Sequence, residues 1–344
     1  MQLSSRLSSR SIKPARRIVT AALVTLALAV SACSSPAPSV DPSASTPAPG
    51  DSGGKKGTIA FSFQYAEVPA YGPIKAFATA KANELGYELV TDNIQGGNVD
   101  EQIASLDNFI AQGVDALVVH QQDPAIYASI IERAHAAGIK YIGYFQPSEG
   151  EDGLVAFDQR GAAEQCSVDA ANWINENLGG KAKVLIHSLS VDQVGREITE
   201  VLGASILEQT DAEIVATQDA IEQATGLQTT QDTLTAHPDL NVVLSWNDGG
   251  ALGAAQAFEL AGVDPAGVYI CSKETGQVGL QALADGNKYL KGMSVLSLKI
   301  LGEGVAQVPV NVLTGQGESD LVVDQVFVRA GETERINELL AEFE

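Results

Sequence analysis

Two groups of residues in this sequence could do chemistry: a serine among glycines near the N-terminus, and polar residues that follow apolar runs. Ser52 stands in the string GDSGG (residues 50–54), where its hydroxyl could act as a nucleophile and glycine N–H groups could stabilise an oxyanion. That chemistry needs a base held at hydrogen-bond distance from the hydroxyl. Because Ser52 follows a run of Pro, Ser and Ala and no pairing of histidine with aspartate accompanies it, we do not expect an enzyme.

The first 32 residues have the organisation of a secretory signal peptide. They hold five basic residues and no acidic one, followed by an apolar run over residues 18–30. As a helix this run would rise only ~20 Å, which is too short to cross a bilayer core comfortably. The run ends in VSAC (residues 30–33), which resembles the lipobox of bacterial lipoproteins. The resemblance implies that Cys33 is diacylated and anchors the protein on the extracytoplasmic side of the cell membrane.

The next segment, residues 33–57, consists mainly of Ser, Pro, Ala and Gly and has little to bury, so we expect a flexible tether. The folded part is then residues 58–330, and residues 331–344 form a C-terminal helix or tail. The full chain has a net charge of −22, and loss of the basic signal peptide makes it more acidic still. Such a charge excludes nucleic acid as a partner.

The cysteines and histidines show no spacing typical of a metal site, and we expect neither a metal nor a cofactor. With Cys33 acylated, Cys166 and Cys271 remain in an oxidising compartment. They either form a disulfide or lie apart as buried thiols, and the sequence leaves both possibilities open. The chain also lacks a G-x-S-x-G elbow, an H-E-x-x-H helix and a P-loop.

From Thr58 onward, short apolar runs alternate with longer amphipathic ones. The first strand-like runs are TIAFSF, YELVTDN, VDALVVH and IKYIGYF, with segments of helical spacing between them. After the short run GLVAFD a second series begins, with helices predicted over residues 160–178, 194–209, 223–236, 249–262 and 276–285. This alternation predicts an α/β protein of two lobes, each a doubly wound parallel sheet covered by helices on both faces.

In such sheets ligands bind beyond the carboxyl ends of the strands. Polar or aromatic residues follow several of the predicted strands, and two lobes could turn these ends toward one cleft. The candidates at these places are Gln64, Glu67, His120, Phe145, Gln146, Asp158, Asn247 and Lys273.

Five stretches of the chain resemble the periplasmic sugar-binding proteins of ABC transporters, in particular the ribose-binding group of the type I fold. They are KANELGYELV, QIASLDNFIAQGVDALVV, AHAAGIKYIG, TLTAHPDLNVVLSWND and ALGAAQAFELAG, and their order and spacing match over residues 58–317. The fold is shared with regulators resembling the lac repressor, but those carry a DNA-binding helix pair where this chain has a lipobox and a tether. The chain is therefore expected to bind a solute rather than DNA.

The resemblance implies three crossovers between the lobes, which close on a ligand like a hinge. The first lobe would hold residues 58–157 and 294–320, and the second would hold residues 158–293 and a terminal strand over 321–330. In the family, positions matching Glu67, Tyr71, His120 and Asn247 stack on the sugar or form hydrogen bonds with it. Such residues suit a sugar, whose hydroxyls bind carboxylates and amides while its C–H faces pack on aromatic rings.

The chain departs from the ribose-binding pattern at several of these positions. Phe145 and Gln146 replace an Asp-Arg pair, Lys273 stands where we expect an aspartate, and Arg196 lies about two positions from an expected arginine. The ligand is then a small sugar or polyol other than ribose, with a sugar acid left possible by Lys273. Seven of the candidates also have a structural interpretation: helix capping for Asn247, a hinge or cap for Asp158, core packing for Tyr71 and Phe145, exposure for Glu67, an ion pair for Lys273, and a structural hydrogen bond for His120.

The resulting hypothesis is a monomeric, lipid-anchored receptor that delivers a sugar or polyol to an ABC permease. The alternative is a sensor of the same fold that reports a sugar-like or signalling molecule to a membrane partner. The sequence does not separate these two functions.

Overall fold

The computed structural model describes residues 54–121, 123–191 and 193–344. The predicted signal peptide, Cys33, Ser52 and most of the predicted tether lie outside the described residues. Among the residues that are described, no helix is both long and apolar enough to span a membrane.

The first lobe is built on a sheet of six parallel strands in the order β11-β5-β4-β3-β1-β2. Its strands are β1 Thr58–Ser62, β2 Glu88–Thr91, β3 Ala116–His120, β4 Lys140–Tyr144, β5 Gly153–Phe157 and β11 Asp320–Val323. Its helices are α1 Tyr71–Leu85, α2 Val99–Gln112, α3 Ala128–Ala136 and α9 Leu298–Thr314, and a 3-10 turn at Pro124–Tyr127 precedes α3.

The second lobe has a sheet in the order β12-β10-β9-β8-β6-β7, parallel except for β12, which runs antiparallel to β10. Its strands are β6 Lys183–Ser188, β7 Glu213–Asp219, β8 Leu240–Ser245, β9 Tyr269–Thr275, β10 Leu290–Val295 and β12 Val326–Arg329. Its helices are α4 Gln159–Leu178, α5 Gln193–Leu207, α6 Gln223–Ala236, α7 Asp248–Ala261, α8 Gln277–Ala284 and α10 Thr333–Leu340. Short 3-10 turns lie at Pro265–Gly267 and Ala341–Phe343.

Local sequence sets the helix ends. Asn98 caps α2 by accepting a hydrogen bond from the Glu101 N–H (3.2 Å), and Gly113 ends the same helix with a φ of 71°. Every residue of the central strand β3 is buried, as expected for a parallel sheet with helices on both faces. The predicted fold class, α/β with two sheet lobes joined by three crossovers, is confirmed.

The chain passes between the lobes at residue 158, at residues 296–297 and at residues 324–325. The second of these crossovers comes after β10, so residues 294 and 295 belong to the second sheet rather than to the first lobe. The segment 321–330 also differs from the single strand expected in the second lobe. Its first part belongs to β11 in the first sheet and its later part forms β12 in the second, because the polar pair Asp324-Gln325 interrupts the apolar run and carries the chain across.

Cys166 on α4 and Cys271 on β9 form a disulfide within the second lobe, with a Cα–Cα distance of 5.9 Å. Both residues are fully buried in the hydrophobic cluster between α4 and the sheet. The bridge links residues that are 105 positions apart in sequence, and it therefore decides between the two possibilities that the sequence left open.

We predict that replacing both Cys166 and Cys271 by serine, in a Cys33→Ser background, lowers the free energy of unfolding by about 2–5 kcal/mol, because a cross-link over so long a loop restricts the unfolded chain. Urea unfolding of the two proteins measures this difference. Thiol titration of the denatured, unreduced Cys33→Ser protein should find no free thiol. Two free thiols per chain would contradict the bridge.

Candidate functional site

A cavity of about 320 Å³ lies between the lobes, beyond the carboxyl ends of strands from both sheets. Its position is the one that strand polarity predicts for a ligand site in this class of sheet. The residues that line it are Phe63, Ala70, Ile74, His120, Tyr144, Phe145, Phe157, Asn247, Asp248, Glu274, Gly276, Leu296, Leu298, Leu301 and Phe343.

The first lobe contributes an aromatic wall, which we define as Phe63, His120, Tyr144, Phe145 and Phe157. Each of these residues ends a strand of the first sheet or follows it directly. Ring centroids of Phe63 and His120 are 4.6 Å apart, those of His120 and Phe145 5.5 Å, and those of Phe145 and Phe157 5.5 Å. These contacts form a continuous π-surface, against which the C–H face of a ring can pack.

Phe145 is held in an unusual backbone conformation. Its φ is 83°, in the left-handed region that residues with a Cβ rarely adopt. The Phe145 N–H donates to the Val155 carbonyl oxygen (2.8 Å), which fixes the turn out of β4. The conformation costs on the order of 1 kcal/mol or more and directs the ring to the cavity, so this local strain serves to shape the site.

The second lobe contributes an acidic wall, which we define as Asn247, Asp248 and Glu274. Asn247 caps α7 by accepting a hydrogen bond from the Gly250 N–H (3.1 Å). Asp248 Oδ2 accepts from the N–H groups of Gly276 (3.1 Å) and Gly279 (3.0 Å), which ties α7 to the start of α8. Burial raises the pKa of the Asp248 carboxyl, although these N–H groups oppose the shift.

Lys273 lies directly behind the acidic wall and is fully buried. Its ammonium group is 3.0 Å from Gln159 Oε1, 3.2 Å from Glu274 Oε2 and 3.8 Å from the centre of the Trp246 ring. Burial lowers the pKa of Lys273, and the adjacent Glu274 carboxylate opposes that shift. The ion-pair role that the sequence offered for Lys273 is therefore present, and Lys273 itself is not among the residues that line the cavity.

His120 is the polar member of the aromatic wall, yet only 6% of its surface is exposed. Burial among aromatic rings lowers its pKa to about 3, so the imidazole is neutral at physiological pH. Its backbone oxygen accepts a hydrogen bond from Gln102 Nε2 (3.0 Å), and its Nδ1 has no hydrogen-bond partner among the described residues. His120 thus adds polarisable surface to the wall without adding charge.

Two predicted site residues lie in the interior of the first lobe instead. Gln64 is buried, and its Nε2 donates to the Tyr127 hydroxyl oxygen (2.6 Å). Tyr71 stacks against Phe63, with ring centroids 5.0 Å apart, and its hydroxyl donates to the Asp92 carbonyl oxygen (3.3 Å). Tyr71 therefore supports the aromatic wall from behind, in agreement with core packing.

Four other predicted residues make hydrogen bonds that involve the backbone, outside the cavity lining. Glu67 Oε1 accepts a hydrogen bond from the Gly96 N–H (2.9 Å), and Asp158 Oδ1 accepts one from the Gly161 N–H (2.8 Å). Arg196 Nη1 donates to the Ser190 carbonyl oxygen (2.8 Å). The Gln146 carbonyl oxygen accepts from Gln121 Nε2 (2.8 Å). Of the ten predicted residues, the structure brings His120, Phe145 and Asn247 together at the cavity.

Sequence reasoning missed several lining residues for different reasons. Phe63 and Phe157 stand at strand ends beside the polar candidates Gln64 and Asp158, and Tyr144 precedes the candidate Phe145. Asp248 and Glu274 each follow a residue that was chosen. Phe343, at the far C-terminus, carries no local signal.

Phe343 reaches the cavity because the C-terminal turn binds the second crossover. The Glu342 carboxylate accepts from the Ser297 hydroxyl (3.0 Å) and the Lys299 N–H (3.1 Å) at the start of α9. Phe343 packs against the hydrophobic clusters of both lobes. The end of the chain therefore lines the hinge side of the cavity.

Among the residues that the structure describes, no group of His, Cys, Asp and Glu side chains is arranged to hold a metal ion. The site offers aromatic surface on one side and hydrogen-bond acceptors on the other, which is an arrangement for binding.

Comparison with known proteins agrees with this geometry. The sequence model of the family described as "Periplasmic binding protein domain" matches residues 59–317. A ribose import binding protein of Bacillus subtilis is 29% identical over 223 residues, which cover 63% of this chain and 70% of that protein. The D-xylose-binding periplasmic protein of Escherichia coli is 24% identical over 244 residues, covering 69% and 72%.

Solved structures share the fold. A periplasmic ribose ABC transporter protein from Conexibacter woesei superposes with a TM-score of 0.71 at 21% identity, covering 84% of this chain and 95% of that one. A periplasmic solute-binding protein from Actinobacillus succinogenes with bound D-allose gives a TM-score of 0.70 at 22% identity, covering 81% and 100%. The similar proteins are solute-binding proteins rather than enzymes.

The neutral state of His120 predicts acid sensitivity of the fold. The unfolded chain takes up a proton at this residue below about pH 6.5, whereas the folded protein with its pKa of about 3 does not, so stability falls as the pH drops through this range. Between pH 7.5 and 5.5 we expect the free energy of unfolding to fall by about 1.4 kcal/mol more in the wild type than in His120→Gln. Urea unfolding of both proteins at both pH values measures this difference, and equal pH dependence would refute the assignment.

Proposed function

The chain belongs to the periplasmic binding protein domain family, and from this premise we propose that it is an extracytoplasmic lipoprotein that captures a small sugar or polyol and delivers it to an ABC importer. Relatives and structural neighbours are sugar-binding proteins of ABC transporters, which supports the class of ligand and the kind of membrane partner. The VSAC string supports the lipid anchor at Cys33.

The observation that carries this proposal is that both lobes line a single cavity at their strand ends. A ligand in this position contacts the aromatic wall and the acidic wall only when the lobes are close together. It therefore favours a closed form by the free energy of the second set of contacts, since a ligand shifts a conformational equilibrium only by its differential affinity. A membrane partner could then distinguish loaded from empty protein.

The two walls suit the two kinds of surface that a sugar or polyol presents. The C–H faces of a sugar ring pack on aromatic side chains, here the rings of Phe63 and Phe145. The hydroxyl groups donate hydrogen bonds to the carboxylates of Asp248 and Glu274, and the Asn247 side chain can both donate and accept. A cavity of about 320 Å³ lies at the small end of ligand sites, which supports a single ring as the ligand.

We expect a thermal-shift screen of pentoses, hexoses, polyols and their amino and acidic derivatives to identify ligands. A compound at 100 times its dissociation constant should add about 2.7 kcal/mol to the free energy of unfolding.

Asn247→Asp keeps an oxygen that caps α7 but removes the amide donor and adds a negative charge. We therefore expect this variant to weaken binding of a neutral sugar at least tenfold in calorimetry, about 1.4 kcal/mol.

The matched control is Asn98→Ala, which removes a helix cap from α2 outside the cavity lining and should leave the affinity as it is. Full affinity in Asn247→Asp would remove this residue from the site. Binding confined to amino acids or peptides would refute the carbohydrate function altogether.

The lipid anchor is tested separately. We predict that Cys33→Ser moves the protein from the membrane fraction to the soluble fraction, because the thiol that carries the acyl chains is gone. Immunoblotting of fractions washed with high salt measures the distribution. Replacing the nearby Ser34 by alanine is the control and should leave the protein on the membrane. Retention of Cys33→Ser after the wash would contradict the anchor.

A further inference from the structure

We propose that the ligand of this cavity carries a protonated amino group, so that the preferred substrates are amino sugars or amino polyols and sugar acids are excluded. This inference rests on the proposed function, because it takes the cavity between the lobes as the carbohydrate site. The proposed ligand is therefore cationic, whereas the sequence had indicated a neutral or acidic one.

The first support is the charge of the lining. Asp248 and Glu274 both line the cavity, and among the described lining residues there is no lysine or arginine. His120 adds no compensating charge, because burial keeps its ring neutral. A carboxylate on a ligand would enter a site that has two carboxylates and no cationic side chain in its lining, and like charges there would repel it.

The second support is the position of Lys273. Lys273 lies next to the acidic wall, and its ammonium already binds Gln159 Oε1 and Glu274 Oε2. It is fully buried behind the lining, so a ligand anion cannot reach it without breaking these contacts. With Lys273 set against Glu274 and Asp248, the three groups leave one net negative charge at the wall.

The third support is the acceptor capacity of the wall. Each carboxylate has about four lone-pair sites. Asp248 uses Oδ2 for two backbone N–H groups, and Glu274 uses Oε2 for Lys273. Their second oxygens retain capacity, and a ligand ammonium offers three donors together with the missing charge. A hydroxyl and an ammonium both form charge-assisted hydrogen bonds with a carboxylate. The ammonium adds the Coulomb attraction between opposite charges, so an amine gains more here than a hydroxyl.

The fourth support comes from the opposite side of the cavity. Phe63, Tyr144, Phe145 and Phe157 present aromatic rings, and a cation is attracted to the face of such rings when water is excluded. Both walls therefore favour positive charge on the ligand. A neutral sugar uses the aromatic wall through its C–H faces alone and leaves the net charge of the acidic wall uncompensated.

The test compares rings that differ in one substituent. Calorimetry on the full chain would use D-glucose, D-glucosamine, N-acetyl-D-glucosamine and D-glucuronate, with the corresponding galactose and mannose series. We expect at least one amino sugar to bind ten times more tightly than its parent sugar, with the uronates unbound. N-acetylation removes the charge and should abolish the advantage.

The variant Glu274→Gln locates the effect. It leaves the shape of the side chain and removes one of the two carboxylates from the wall, so we expect the ratio of amino-sugar to parent-sugar affinity to fall at least tenfold. The matched control is Glu259→Gln on α7, an exposed carboxylate outside the lining, which should leave the ratio unchanged. An equal loss in both variants would mean that the overall charge of the protein, and not the acidic wall, sets the preference.

The outcomes separate this inference from the proposed function. Parent sugars that bind as tightly as their amines, or uronates that bind at all, would overturn the cationic ligand while supporting a carbohydrate-binding protein. Failure of every carbohydrate, charged or neutral, to bind would overturn both.

Discussion

The backbone crosses three times between two sheets, and this constraint determines where every other part of the molecule can lie. At the third crossover, only Asp324 and Gln325 separate a strand of the first sheet from a strand of the second. The first crossover is attached to it, since the Asp158 N–H donates to the Val323 oxygen (2.9 Å). With both sheets held at these points, their carboxyl ends face a common cavity and neither lobe can form the site alone.

The second crossover is held by the end of the chain, which adds a constraint to the hinge. Glu342 binds the start of α9 through Ser297 and the Lys299 N–H, and Phe343 packs against the apolar clusters of both lobes. A change in the angle between the lobes must move Phe343 relative to at least one of them. The same ring lines the cavity, so Phe343 contributes both to the packing that resists hinge motion and to the surface that meets a ligand.

The sequence predicted the fold well because helix and strand periodicity persists over many residues, whereas the site depends on which way single side chains point. Successive residues of a strand face opposite ways. Phe63 meets the cavity while its neighbour Gln64 binds Tyr127 in the interior, and Glu274 lines the cavity while Lys273 is buried. Strand polarity predicts that both pairs lie at the cavity end of their sheets. Which residue of each pair faces the cavity depends on the backbone direction where the strand ends. That is set by tertiary packing, as is the arrival of Phe343 from the C-terminus.

The two lobes supply different chemistry, and this couples selectivity to closure. The aromatic wall comes from the first lobe, and the acidic wall comes from the second. Moving a hinge from 1% to 99% closed requires about 5.5 kcal/mol of differential binding, which must come from contacts that exist only in the closed form. A ligand that satisfies the rings but not Asp248 and Glu274 gains little from closure and binds chiefly to one lobe. The choice of ligand is therefore made by the same contacts that drive the lobes together.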